Sequence, residues 1–583
     1  MKKIIQPCFL FILCLFCSNP IGAQQLTVTV DSVGQLATQL PDSVRFTMSE
    51  LKICGPLNGT DLKLIQQIAN RTKAKKDGEA VLTAIDLSEI TIQEGRGSIR
   101  TRENQLPSDL FSGCKTLQHA VLPDVCTEVS QGCFSNCSAL KEVVIPEGVL
   151  TVGDNAFNKC TALEELRLPP QLTTIGKNAF SGCAALRSMD LPETVEKLGA
   201  SAFADCRQLK RIKLSECRIT EVNVSTFMNC ERLEEIELPA SVKLIDNDAF
   251  KKCVVLEKVE TAKPVGEIDN SAFEGCTALQ QIDLTAVTRL GSDAFKGCTS
   301  LKSVEMENVK KIGSGAFEDC SSLSTVNIDG SLDAIATELF RECASLSEVV
   351  LPASVKQIGS HAFRGCKSLT GIDLPASLNR INDHAFEECV SLRNIHIPAQ
   401  VKQLGSSAFE NCTSLDSIYM QGFIEKIETD VFRRCHSLRI VVLPVSVRSI
   451  GSNAFQECAS LTKIELPVSL TSIADDAFEK CTSLTTLIVP PACTSIGSSA
   501  FRECSNLTRV ELPATIKKLG GSTFAKCVSL RELIVNAPKP PSISGNTFKG
   551  ASSTMRVVVP KGSKDNYRND KQWSKLSLIV EQQ

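Results

Sequence analysis

From about residue 106 to 551 one pattern of apolar and polar positions repeats along the chain, and the stretch Cys343 to Cys366 displays it. Val349 and Leu351 alternate with outward positions 348 and 350, the period of two expected of a short strand. Pro352 has no N–H to donate and ends that strand. Val355 and Ile358 turn inward again from the opposite side. Gly359-Ser360 then offers a turn and a helix N-cap, and Ala362, Phe363 and Cys366 share one face of a single helical turn. With Leu346 these residues form the inward set of one coil.

The repeat is strict. Cysteines at 114, 137, 160, 183, 206, 230, 253, 276, 298, 320, 343, 366, 389, 412, 435, 458, 481, 504 and 527 are separated by fifteen gaps of 23 residues, one of 24 and two of 22. Phe precedes each by three positions, from Phe111 to Phe524, and Leu follows each by three, from Leu117 to Leu530. Phe548 opens a degenerate further unit with Ala551 in the cysteine place. This predicts an α/β solenoid of about twenty coils. Its strands form one parallel sheet of roughly twenty members, ~100 Å long at ~4.8 Å per strand, with short helical turns opposite. A lone coil could not fold, because ordering 23 residues costs about 35 kcal/mol at about 1.5 per residue while both faces stay wet. The ends therefore need caps. Residues 24–100 fit one, with strand-like Leu26–Val30 and Leu82–Leu87 and helix-like Ser32–Leu40 and Asp61–Ala69. After the Pro-rich break 537–541, residues 552–583 fit the other, with Trp573 packing over the last exposed coil. The solenoid proper is assigned to 101–551.

Met1-Lys2-Lys3, the apolar run Ile4 to Cys17 and the small-residue end Ile21-Gly22-Ala23 read as a signal peptide, residues 1–23, cleaved after Ala23. Cys14 and Cys17 follow Leu13 and Phe16, which disfavours a lipid anchor. The run is too short for a membrane span, and no other stretch approaches one, so no transmembrane segment is expected. Hydrophobic residues at 43% and charged residues at 22% are globular values. A net charge of −3 offers no basic field for nucleic acid. The aromatics are 25 Phe, 2 Tyr and 1 Trp, which leaves little for stacking on sugars or bases.

The unit Cys-x-x-Leu-x-x-Ile-x-Leu-Pro-x-x-Val-x-x-Ile-Gly-x-x-Ala-Phe resembles the BspA-like, Treponema pallidum-type leucine-rich repeat, over about 106–551. Gly55-Pro-Leu-Asn-Gly-Thr-Asp61 and Val559-Pro-Lys-Gly-Ser resemble the flanks of secreted members from Bacteroides-type bacteria. The resemblance implies a curved solenoid, display at the cell surface and adhesion to host matrix proteins or other cells. It brings no catalytic motif and no cofactor.

Cysteine in an exported chain suggests disulfides, yet nineteen at one equivalent position form a column pointing one way, which does not turn sulfurs toward each other. Cys343 and Cys366, with Phe363 and Phe386, are expected as buried structural ladders of reduced thiols and rings, leaving room for an incidental bridge. Cys126, Cys133 and Cys493 read as small apolar fillers; Cys133 and Cys137 are the nearest pair for a bridge or metal. No metal site is assigned, since no clustered His completes one. His361 and His384 read as ordinary surface positions preceding Ala-Phe in successive units, and Asp383 as a chance neighbour. With no Gly-rich phosphate loop, His-Glu-x-x-His or Gly-x-Ser-x-Gly, no enzyme is expected.

Partner contacts belong on the outward strand positions. Seven residues after the ladder cysteine, Glu237, Glu260, Asp283 and Glu305 succeed one another, at a cost of about 1 kcal/mol per neighbouring pair in water. The same coils carry the irregular gaps and lack the Leu-Pro stop at Leu214-Ser215, Leu284-Thr285, Met306-Glu307 and Ile328-Asp329. Two readings stand: a floor accepting cationic groups of a partner, or a solvated charged face with drifting loops. Tyr419 with Phe423, Ile440 and Val442 forms a second candidate, an outward apolar cluster where Met420-Gln421 replaces Leu-Pro; local packing of an irregular coil is its rival. The function expected is a secreted or surface-displayed scaffold for protein partners in host matrix or on neighbouring cells. The alternative is an envelope spacer without a dedicated ligand. Oligomeric state is left open.

Overall fold

The computed structural model describes residues 25–73, 79–576 and 578–583. The expected signal peptide lies outside them. The chain forms two compact units, one ending at Lys263 and one beginning at Pro264.

In the first unit, parallel strands Gln25–Thr29, Glu50–Leu57, Ala84–Asp86, His119–Val121 and Glu142–Val144 pair in that order, so the N-terminal segment adds coils to the ladder. Glu50–Leu57 is a strand that alternation did not mark, because Cys54-Gly55-Pro56 interrupts its pattern. Gly55 is required there: its φ is +99°, and a Cβ would lie 2.1 Å from the Val30 carbonyl oxygen. Helix Gly59–Ala69 follows, capped by Asn58, whose side chain accepts from Thr60 N and Asp61 N. The buried Asp61 carboxylate accepts from Asn58 N at 3.0 Å, Gly34 N at 2.6 Å and Leu36 N at 3.0 Å, tying the preceding loop to the helix start.

Each coil then follows the sequence pattern on its inner side. The ladder Phe from Phe111 to Phe524 and the ladder Cys from Cys114 to Cys527 are wholly buried, and neighbouring rings stack at 5.3–5.7 Å from Phe111 to Phe250 and at 5.0–5.8 Å from Phe273 to Phe548.

Two expectations are corrected. The back of the coil is not a helical turn. Among the described residues α-helix is confined to Leu36–Gln39, Gly59–Ala69 and Lys564–Arg568. The back instead carries left-handed residues on either side of Ala-Phe, such as His361 (φ 58°) and Gly365 (φ 73°). The N–H groups of His361, Phe363 and Gly365 leave the coil and donate to Asp383, Ala385 and Glu387 of the next at 3.1, 2.8 and 2.9 Å. Donors committed to a neighbour cannot close an i to i−4 helix.

The strand face is also not one sheet. In the first unit it breaks into three, and in the second into three more. Segments 165–167, 371–373 and 463–466 form no strand. Gly371, without a side chain to pack, weakens one of these. Another break falls at the 24-residue gap, where the extra residue stretches Glu234 N to Lys210 O to 3.5 Å, against 2.9 Å for Glu257 N to Glu234 O in the next coil. A second parallel ladder of two-residue strands, unforeseen, runs where the coil turns inward again, with Gln357↔Arg380 and Ile358↔Ile381 in register.

At the far end, strands Arg556–Val559 and Leu578–Glu581 extend the ladder in parallel. Trp573 is buried, tilted on Phe548 (5.9 Å) and edge-on to Tyr567 (5.1 Å), and donates to the Pro541 carbonyl at 2.8 Å. The stack of rings thus ends against a larger ring whose polar group is satisfied.

Candidate partner-binding face

The ladder cysteines are interior groups with a job. Cys366 Sγ donates to the Phe340 carbonyl at 3.2 Å and Cys343 Sγ to Phe317 at 3.0 Å, each reaching one coil back. The same carbonyl accepts its own coil's cysteine N–H. The thiol therefore supplies a second donor to a buried oxygen that would otherwise make one bond. Burial pushes both thiols far above the ordinary value. Cys133 and Cys137 are free thiols, as are the ladder cysteines from Cys298 to Cys527.

Of the acidic row, the first unit brings Glu237 and Glu260 into register on strands Glu235–Leu238 and Lys258–Thr261. They do not form a purely acidic floor. Glu235 sits opposite Lys258, and Lys258 pairs with Glu260, whose carboxylate raises the lysine pKa. Arg211 and Lys213 line the same shallow groove of about 290 Å³. In the second unit Asp283 accepts from Thr285 N (3.0 Å) and Thr285 Oγ1 (2.6 Å). This turn occupies the place of the missing Leu-Pro stop and gives Asp283 a local duty. Glu305 lies opposite Asn327.

The aromatic cluster is better formed. On strands Asn394–Ile397, Ser417–Met420 and Ile440–Val442, the residues His396, Tyr419 and Val442 stand in one column. The His396 and Tyr419 rings stack at 5.0 Å, 9° apart. Ile440 and Val442 stay 45% and 46% exposed, and Phe423 62%. Phe423 stands off the strand, on the turn after Gly422, where a Cβ would meet the Val401 carbonyl oxygen at 2.1 Å. Met420, by contrast, points inward and is buried. Val445 and Val468, exposed by 82% and 72%, extend this apolar surface into the next coils. They occupy the position after Pro in two consecutive units, a signal visible in the sequence.

Grooves open beside coils whose strand is missing. One of about 1030 Å³ in the first unit is lined by His119, Glu142, Val144, Leu166, Arg167 and Pro170. One of about 550 Å³ in the second is lined by Glu348, Gly371, Asp373, His396 and Gln421, and its His396 belongs to the aromatic column.

A parallel solenoid with a Leu-Phe-Cys interior and its variable residues on one outward strand face is a leucine-rich-repeat scaffold. The chain belongs to the BspA type leucine rich repeat family, whose profile matches residues 104–232, 220–347, 333–459 and 425–556. Scaffolds of this family generally serve protein–protein interaction and are typically non-enzymatic. Among solved structures, the chain is similar to a leucine-rich repeat protein from Bacteroides ovatus (20% identity, 82% of this chain and 92% of that one, TM-score 0.37). It is also similar to a leucine rich cell surface protein from Faecalibacterium prausnitzii (27% identity, 52% and 87%, TM-score 0.36). The T. pallidum leucine rich repeat protein shows 24% identity over 39% and 78%, with a TM-score of 0.23. No curated protein matches the sequence. No described helix is long and apolar enough to cross a membrane.

Proposed function

We propose that the chain is an exported, surface-displayed scaffold that holds protein partners on its strand face and serves adhesion to host matrix or neighbouring cells. One observation carries this reading: Tyr419 and Val442 stand in one outward column of the sheet, with Ile440 two residues from Val442 on the same strand face, and exposed Phe423, Val445 and Val468 lie on the turns of these and the next coil. Burial in the coil does not require those side chains, and a contiguous exposed apolar patch marks a contact surface. The carboxylates of Glu237 and Glu260, interleaved with Lys213 and Lys258, supply a polar area for charge-matched contact in the first unit.

The test uses the chain immobilised and probed with purified host matrix proteins and with co-resident bacteria. Val442→Ser and Ile440→Ser change half-exposed residues and should leave stability within about 0.5 kcal/mol, while partner capture falls at least tenfold. Glu260→Lys reports on the polar area in the same way. Capture unaffected by all three substitutions rejects the face. Protein inaccessible to protease on intact cells, and without partners, returns the molecule to the spacer reading.

A further inference from the structure

The left-handed slot two residues before each ladder Phe, with φ near +55°, favours Gly, Asn, Asp and His over bulky or β-branched residues. Along the chain it holds Asn155, Asn178, Ser201, Asp293, Asn453 and Ser499. In two successive coils it holds histidine, at His361 (φ 58°) and His384 (φ 57°). The coil repeat places these rings face to face, centroids 4.7 Å apart and 12° from parallel. Glu387, three positions after His384 and buried, brings a carboxylate oxygen to 3.0 Å from His384 Nδ1. One donor atom from each of the three residues lies within 4.8 Å of the others.

We propose that His361, His384 and Glu387 form a binding site for a borderline divalent transition-metal ion such as Zn2+ on the back of the second unit. Two imidazoles and a carboxylate are the donor set that suits such ions. Small side-chain rotations bring the donor atoms from their present spacing to bonds of about 2.0–2.2 Å around one ion. The neighbouring cations leave room for it. Arg364 Nε lies 2.9 Å from Glu387 Oε2, but its Nη2 already reaches Glu388 Oε1 at 3.4 Å, so Glu388 can take over the guanidinium when Glu387 turns to metal. Arg341 is held by Glu318 and Glu338, each at 3.2 Å. Three protein donors leave a coordination position open to water or to another ligand.

Chelator-stripped full chain is titrated with ZnCl2 at pH 7.5 by calorimetry, and the zinc-loaded protein is examined by X-ray absorption. The expected result is one tight equivalent with a nitrogen and oxygen shell near 2.0 Å. His361→Asn and His384→Asn should each weaken binding about a hundredfold and Glu387→Gln about tenfold. Asparagine occupies the same slot at Asn155, Asn178 and Asn453, so these variants keep the fold, and an unchanged circular dichroism spectrum verifies it. A sulfur shell near 2.3 Å, undiminished zinc affinity in the His361→Asn/His384→Asn double variant, or no binding by the parent chain overturns the site.

Discussion

Raising the pH should unfold the second unit by drawing protons from cysteines that only the unfolded chain can ionise. The eleven ladder thiols from Cys298 to Cys527 are all pushed above the ordinary value of 9.0, Cys527 to about 12 and the others further, with burial as the first cause in each. The sign follows from proton counting. Below pH 9 both states hold the proton and the thiols do not distinguish them. Above it the unfolded chain releases protons that the folded chain keeps, so stability falls as pH rises toward the folded pKa values. At pH 10 each unfolded thiol is about nine-tenths ionised, which favours unfolding by about 1.4 kcal/mol per site. Over those eleven sites the loss is about 15 kcal/mol, as large as the whole stability of an ordinary domain. The lysines with raised pKa values, such as Lys296, respond only above pH 10.5 and do not confuse the test. Urea unfolding followed by circular dichroism under reductant, at pH 7.5, 8.5, 9.5 and 10, should show a midpoint nearly flat to 8.5 and then collapsing. A midpoint unmoved between pH 8.5 and 10 would refute the claim that these thiols are dry and protonated.

Two further outcomes follow from packing alone. Phe386→Ala removes a ring stacked on Phe363 at 5.2 Å and on Phe409 at 5.3 Å, and should cost about 3–5 kcal/mol, with hydrogen-exchange protection lost in adjoining coils and retained around Phe501; a loss of less than about 1 kcal/mol would deny the ring column its role. Gly55→Ala sets a Cβ against the Val30 carbonyl at positive φ and should destabilise the first unit by at least about 1–3 kcal/mol, read as a lowered midpoint in thermal unfolding.

The interior was legible because period and burial coincide: Phe363, Cys366 and Leu369 each recur at one offset, and nothing but a stacked coil makes a 23-residue period useful. What escaped was whatever depends on a neighbouring coil rather than on local spacing. Ala362, Phe363 and Cys366 have helical spacing, yet their turn is shaped by acceptors in the next coil. The sheet breaks at 165–167 and 463–466 leave no mark in the apolar pattern, since Leu166 and Ile464 still face inward. On the outward face, counting seven residues from each cysteine places Tyr419 beside His396 and Val442. The same count lines up Glu237 and Glu260 but says nothing of Lys258, which sits two residues before Glu260 on the same strand and pairs with it. Spacing puts His361 and His384 in one slot, and only the stacked coils bring equal slots of successive turns to touching distance.

Within each unit the turn amides of a ladder coil point toward the following coil, and its thiol points toward the preceding one. The upper edge of any coil in a run is therefore chemically the same as the upper edge of its neighbours, and likewise the lower. Excising one whole period, such as 344–366, would join two edges that already fit each other, whereas losing three residues would strand donors along the entire seam. Such a molecule can change its reach by the copying or loss of single turns, while coils that depart from the common period are the parts that length variation must leave intact.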